Sequence, residues 1–252
     1  MNRPILSLLL FILSLSAYSQ VSPAIKITAT PRVYEDYFGK CVAIDGPFAV
    51  VGAANSFIDG DAGSASVFER DAGGNWNEIQ TLIPSDIHPG DHFGMFTAIS
   101  GNYMAIASWS ADLVGPDSTL MDAGAVYMYE KQSDGTWLET AKITAPDARS
   151  KDFFARVSLS GRFLAIGSYS SLDEQGANFV NKAGAVYVYE RTDGGAWLPV
   201  QKLTASDRST PEAYFAVVAI DGNTLAVGAP GVRTDAAGGN ALPNAGAVYV
   251  FK

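Results

Sequence analysis

Short apolar runs, each followed by a turn-forming glycine, recur along the chain. Residues 215–220 form one such run, and Asp221-Gly222-Asn223 follows it before the next apolar run at residues 225–228. Runs of this length between Gly and Asp or Asn are typical of β-strands in hairpins, because glycine supplies the positive φ that a tight turn needs. No stretch shows a sustained helical period, so the pattern predicts an all-β protein.

A longer unit occurs four times. The sequence Ala-Gly-Ala-Val-Tyr stands at residues 123–127, 183–187 and 245–249, and a weaker copy, Ala-Gly-Ser-Ala-Ser, stands at residues 62–66. Aromatic residues keep the same period of about 60 residues: Phe38, Phe93, Phe154 and Phe215 form one series, and Trp76, Trp137 and Trp197 form another. Several markers with one shared period establish an internal repeat.

Each repeat contains four strand-like runs, with short turns after the first and third and a long connection after the second. A four-stranded antiparallel unit repeated in this way predicts a β-propeller of four blades. We assign the propeller to residues 20–252, with repeats at approximately 25–78, 79–139, 140–199 and 200–252.

The phase of the repeat suggests how the ring closes. Residues 25–29 (Ile-Lys-Ile-Thr-Ala) match residues 201–205, a fourth-strand run, whereas Lys252 directly follows a third-strand run. We therefore expect residues 25–29 to complete the fourth blade and remove an open sheet edge. A partial array, or two chains that associate into a larger ring, would show the same phase.

The first 19 residues have the pattern of a secretory signal peptide. A short polar start at Asn2 and Arg3 precedes an apolar run at residues 5–15, and Ala17-Tyr18-Ser19 places small residues at the cleavage positions. The alternative is a membrane anchor, for which the run is short. We expect a secreted protein, extracellular or periplasmic and in some contexts at the cell surface, without stable membrane insertion after cleavage.

Charge and cysteine content narrow the classes of function. The chain has 17 Lys and Arg against 26 Asp and Glu, a formal net charge of −9. An acidic surface repels phosphate backbones and disfavours nucleic-acid binding. Cys41 is the single cysteine, so no disulfide forms within the chain.

Several of these residues resemble FG-GAP repeats, the units of the integrin α-chain propeller and of many secreted bacterial proteins. Phe38-Gly39 and Phe93-Gly94 match the first part of the motif, and Gly228-Ala229-Pro230 matches the second. The resemblance covers residues 25–252 and implies the propeller fold, while leaving the function open. Integrin-type repeats carry a calcium loop between these two parts. Here turns such as Asp45-Gly46 are too short for it, so we expect no cofactor, and these turns do not support calcium.

Loops on a rigid scaffold often carry binding residues, and the strand order gathers the long ones on one side. We call this side the long-loop face; it comprises residues 53–62, 108–122, 168–182, 229–244, 84–92, 146–152 and 206–213. Trp109 and Tyr169 start two of these loops, where exposed rings would contact a ligand and buried rings would pack beneath the loop. The other ligand-face candidates are Phe57, Phe179, Asp112, Asp173 and Asp235. Asp59 and Asp61 are weak metal candidates, and solvated loop carboxylates are the alternative.

The sequence shows no arrangement typical of an enzyme. His88 and His92, the two histidines, lie in one blade crossing, which does not fit a Ser-His-Asp triad. We expect a non-catalytic binding or adhesion module for an extracellular protein or glycan, with self-association as a further property. A polysaccharide-acting enzyme that uses carboxylates near the central channel, and a purely structural cell-surface unit, are the alternatives.

Overall fold

The computed structural model describes residues 24–30, 34–55, 62–208, 214–234, 239–243 and 245–252. These ranges contain β-strands and turns and no helix, which confirms the predicted all-β fold. A membrane-spanning helix is therefore also absent from the described ranges. The predicted signal peptide, residues 1–19, lies outside them.

Two four-stranded antiparallel sheets form the first half of the fold. Blade 1 has the order β1 (Cys41–Asp45), β2 (Phe48–Ala53), β3 (Ser64–Arg70) and β4 (Trp76–Leu82). Blade 2 consists of β5 (Phe93–Ser100), β6 (Tyr103–Ser108), β9 (Ala125–Lys131) and β10 (Trp137–Ile143). A small hairpin of β7 (Leu113–Val114) and β8 (Thr119–Leu120) lies within the long connection of blade 2.

The second half repeats this plan. Blade 3 consists of β11 (Arg156–Ser160), β12 (Phe163–Ser168), β13 (Ala185–Arg191) and β14 (Trp197–Leu203). Blade 4 has three strands in its described part: β15 (Val217–Asp221), β16 (Thr224–Ala229) and β17 (Ala247–Phe251). The predicted strand-turn-strand pattern is confirmed in each blade, and the glycine after each first strand has a positive φ of 54–57°.

The blades pack face to face in a row, with the first strands β1, β5, β11 and β15 next to one another. Three apolar clusters fill the spaces between consecutive blades. In each of them the small side chains of one blade lie against the aromatic side chains of the next. Between blades 2 and 3, for example, Ala105 and Val126 share a cluster with Phe154 and Tyr187. This repeated packing is the four-blade arrangement that the repeats predict.

The structure does not show the expected closure of the ring. Residues 24–30 form no strand, and among the described residues β17 pairs with β16 alone. Residues 26–29 lie instead across a cavity from residues 35–38, at the entrance to blade 1. Because blades 1 and 4 do not pack on each other as consecutive blades do, this segment stands at the far end of the row from β17.

Candidate functional site

The long-loop face brings Trp109 and Tyr169 together, although they belong to blades 2 and 3. Their rings meet edge to face with centroids 5.6 Å apart. Trp109 follows β6 and Tyr169 follows β12, so the same position in two consecutive blades supplies both rings. Both side chains are half-buried. The two predicted alternatives therefore combine here, because the rings pack on each other and still reach the surface.

Phe153 and Tyr214 extend this contact into a row of aromatic rings. Phe153 stacks on Trp109 at 4.7 Å, and Tyr214 packs on Tyr169 at 4.9 Å. Neither residue was predicted for the site, although each directly precedes a repeated phenylalanine of its blade. Both have positive φ values, 47° and 53°, as do Tyr37 and His92 at the same position of blades 1 and 2, so this uncommon backbone conformation belongs to the repeat.

The positively charged guanidinium group of Arg156 lies against this row of rings. Its guanidinium carbon is 4.5 Å from the ring centre of Tyr169, 5.1 Å from that of Trp109 and 5.4 Å from that of Phe96. The guanidinium also donates a hydrogen bond to the Tyr169 hydroxyl. One guanidinium nitrogen, Nη1, is buried without a hydrogen-bond partner among the described residues. Cation–π contacts to several rings therefore hold this charge. We call Trp109, Phe153, Tyr169, Tyr214, Phe96 and Arg156 the ring cluster.

A cavity of about 400 Å³ opens beside the ring cluster on the same face. Arg149, Lys151 and Lys182 line it together with Phe179, whose side chain is 61% exposed. Among the described residues, no carboxylate oxygen lies within 4.0 Å of the three cationic groups. This basic cavity is a local exception on a protein of net negative charge, and Phe179, one of the predicted ligand-face residues, lies in its wall.

Backbone hydrogen bonds fix the wall of the basic cavity. Lys151 donates its N–H to the Met121 carbonyl oxygen at 2.8 Å, and Lys182 donates its N–H to Ser171 Oγ at 2.9 Å. The Asp152 carbonyl oxygen accepts the Tyr169 N–H at 2.6 Å, which joins the wall to the ring cluster. The two cations therefore project from a backbone that is hydrogen-bonded to neighbouring loops.

Asp152 is a buried carboxyl in this wall. Its side chain accepts the Arg149 N–H at 3.0 Å, and burial raises the pKa of Asp152 to about 6. Asp91 holds the corresponding place in blade 2, where it accepts the His88 N–H at 2.9 Å and burial again raises its pKa. Because the arrangement recurs, it serves the crossing between blades in both places.

The predicted aspartates have internal hydrogen bonds. Asp112 accepts the Asp122 N–H at 2.8 Å, and buried Asp173 accepts the Ala177 N–H at 2.8 Å. Their carboxylates thus stabilise their own loops, and contact of these residues with a ligand stays a prediction. Phe57, Asp59, Asp61 and Asp235 lie outside the described residues. Within the described ranges, no three His, Cys, Asp or Glu side chains form a group that would hold a metal ion.

Four segments of the chain match the FG-GAP repeat, at residues 22–68, 76–129, 137–189 and 197–251. Together they cover most of the chain and all four blades. The chain belongs to the FG-GAP repeat family. Comparison with curated proteins gives no significant match. Membership confirms the predicted resemblance and is consistent with a propeller-type binding module, and in this FG-GAP protein the ring cluster and the basic cavity are the candidate site.

Proposed function

We propose that this FG-GAP protein is an exported, non-catalytic binding module that takes an acidic glycan on its long-loop face. The observation that carries the proposal is the basic cavity beside the ring cluster. Three cations line the cavity together with Phe179. The ring cluster adjoins this wall, where the Tyr169 N–H donates to the Asp152 carbonyl oxygen. Binding sites on rigid scaffolds commonly combine apolar and aromatic walls with a few placed polar groups.

The chemistry of the two parts complements a sugar acid. The apolar face of a pyranose ring packs on aromatic faces, and Phe179, which is 61% exposed in the cavity wall, presents such a surface. Arg149 and Lys151 are exposed on the cavity wall, where a guanidinium and an ammonium would bind carboxylate or sulfate groups. On a chain of net charge −9, an anionic ligand is otherwise repelled, so binding would be confined to this cavity.

Surface-immobilised polymers test the proposal. Full-length protein, with residues 1–19 removed by the host, is passed over polygalacturonate, dextran and gelatin in the presence of a chelator. We expect retention on polygalacturonate and none on dextran, and a loss of retention in Phe179→Ala. Retention on gelatin alone would favour a protein ligand, and retention on none of the three would favour a structural unit.

A polysaccharide-acting enzyme is the second candidate, and one observation favours it. Asp152 lies in the cavity wall with a pKa near 6, which suits a general acid. Its counterpart Asp91 has the same hydrogen bond from the backbone, and this repetition supports a structural role. Reducing-end release from polygalacturonate, lost in Asp152→Asn, would establish the enzyme instead.

A further inference from the structure

The outer face of blade 4 is apolar and exposed. Val248 on β17 is 70% exposed, whereas Val126 and Val186, at the same position in blades 2 and 3, are fully buried beneath the next blade. Val250 beside it is 61% exposed. In blades 2 and 3 the next blade covers this surface. On blade 4 no described residue covers it.

The opposite face of blade 1 has the complementary character. Ile44 on β1 is 65% exposed, whereas its counterparts Ile99 and Leu159 are 8% exposed because the preceding blade covers them. Val42, next on the same side of the strand, is 66% exposed. The two ends of the row thus present the two halves of an interface that the chain already forms three times between its own blades.

The described sheet of blade 4 has three strands, and a segment that matches a fourth strand precedes blade 1. Residues 25–29 match residues 201–205 of the third repeat, where β14 pairs with β13. In the structure this segment lies beside residues 35–38 at the entrance to blade 1. It therefore belongs to the end of the row that carries the exposed face of blade 1, and a blade that docks at this end would be able to reach both.

We propose that β17 of one copy takes residues 25–29 of a second copy as its fourth strand, while blade 1 of that copy covers Val248 and Val250. The register follows from blade 3, where Val186 is opposite Leu203 and Tyr187 is opposite Lys202. Transferred to blade 4, this register places Ile27 opposite Val248 and Lys26 opposite Tyr249.

The lysine supplies an independent reason for this register. In blade 3, Lys202 Nζ lies 2.7 Å from Asp147 Oδ2 and 5.1 Å from the ring centre of Tyr187, whose hydroxyl donates to Asp147 at 2.7 Å. Blade 2 repeats this arrangement with Lys142, Asp86 and Tyr127.

Blade 4 has the tyrosine and the aspartate of this arrangement, since the Tyr249 hydroxyl donates to Asp207. Its described sheet has no fourth strand to carry the lysine. In the proposed register Lys26 stands at that position, opposite Tyr249 as Lys202 stands opposite Tyr187. An incoming strand would thus place a lysine opposite the tyrosine, as in blades 2 and 3.

Such contacts are head-to-tail, because each copy offers the edge of β17 at one end and residues 25–29 at the other. A head-to-tail interface either closes into a ring or continues as a filament. Two copies are the smallest assembly in which every exposed end face is covered. We therefore expect a dimer with two identical interfaces.

Disulfide trapping separates this dimer from closure within one chain. In a Cys41→Ser background, Ile27→Cys and Val248→Cys are made as separate proteins, mixed, oxidised and analysed on a non-reducing gel. Paired strand positions lie within disulfide range, so we expect a covalent heterodimer from the mixture and little from either protein alone. A cross-link that forms only when both cysteines share one chain, giving a monomer band, would overturn the proposal, as would the absence of any cross-link.

Solution mass gives a second, uncoupled readout. Wild type is expected as a dimer and Val248→Asp as a folded monomer, because the substituted side chain is already exposed within one copy. Lys26→Glu is expected to weaken association by roughly tenfold or more. Leu138→Asp, at a 57% exposed position on β10, is the matched control and should remain dimeric. A dimer that survives Val248→Asp, or a wild type that is monomeric at all concentrations, would contradict the inference.

Discussion

Phe154 donates its backbone N–H to the carbonyl oxygen of Ala123 at 2.9 Å, and this bond joins blade 3 to blade 2. The same bond links Phe93 to Ala62 at 2.8 Å and Phe215 to Ala183 at 2.9 Å. The repeated phenylalanine and the repeated Ala-Gly pair are thus two sides of one connection between blades. Their shared period in the sequence follows from this contact.

Gly124 tests that connection. Its φ is +83°, and a Cβ at this position would lie 2.4 Å from the Phe154 nitrogen. Gly124→Ala is therefore expected to suffer both backbone strain and a steric clash with the neighbouring blade, and to lower the free energy of unfolding by about 3 kcal/mol or more. Chemical denaturation followed by tryptophan fluorescence measures the change.

Gly135→Ala is the matched control for this substitution. Gly135 has a similar φ of +91° in a hairpin turn, with open space where its Cβ would lie. We expect a cost of about 1–2 kcal/mol from the backbone conformation alone. Equal losses in the two variants would show that the close approach between blades contributes nothing.

The ion pairs Lys202–Asp147 and Lys142–Asp86 differ in burial, and we expect the more buried pair to contribute more to stability. Lys202 and Asp147 are more buried than Lys142 and Asp86, although the two pairs have similar lengths, 2.7 and 2.6 Å. Lys202→Met should therefore cost about 1–2 kcal/mol of unfolding free energy and Lys142→Met less than 1 kcal/mol. Thermal unfolding of both variants provides the comparison, and a larger loss in Lys142→Met would contradict it.

The loss in Lys202→Met should also depend on pH. Burial favours a higher pKa for Asp147, but hydrogen bonds from Lys202 and Tyr187 outweigh this effect and hold the pKa below its usual value. A carboxyl with a lowered pKa stabilises the fold above its unfolded pKa, and this contribution is lost as pH falls through the folded pKa. The difference between wild type and variant should accordingly shrink in acid.

Asp152 predicts a pH dependence of the opposite sign. Burial raises its pKa from 3.8 to about 6, so the folded protein retains this proton over a range in which the unfolded chain has released it. Its contribution to stability is complete below pH 3.8 and is lost as pH rises through 6. Relative to wild type, Asp152→Asn should gain about 2 kcal/mol of unfolding free energy between pH 4 and pH 7.

Denaturation at each pH measures this gain, and Asp117→Asn is the control. Asp117 is exposed in the long loop of blade 2, and its substitution removes the same charge. A gain of the same size in Asp117→Asn would assign the effect to net charge and not to burial of Asp152.

Much of the fold could be predicted because its signals are local or strictly repeated. Gly46, Gly101, Gly161 and Gly222 mark hairpin turns whose strands are adjacent in the sequence, and they have the expected positive φ. The contact of Trp109 with Tyr169 was accessible for the same reason, since equal positions in consecutive blades are brought together by the repeat itself.

The remaining features depend on contacts between different positions of the repeat. Phe153 and Arg156 precede or begin a first strand, yet they pack on Trp109, which follows a second strand of another blade. Arg149 and Lys182 come from a crossing and a long loop that meet at the basic cavity. The expected place of residues 25–29 depended on the path of the whole row, which no local pattern determines.

Calorimetric titration with an oligogalacturonate tests most directly the claim that the long-loop face binds an acidic glycan. Wild type should saturate with one ligand per chain, and added salt should weaken binding because the cavity contacts are ionic. Arg149→Ala/Lys151→Ala should bind about tenfold or more weakly. Arg70→Ala/Lys131→Ala removes the same two residue types at the ends of β3 and β9, on the opposite side, and should bind as wild type does. Equal weakening in both double variants, or none in either, would contradict the account.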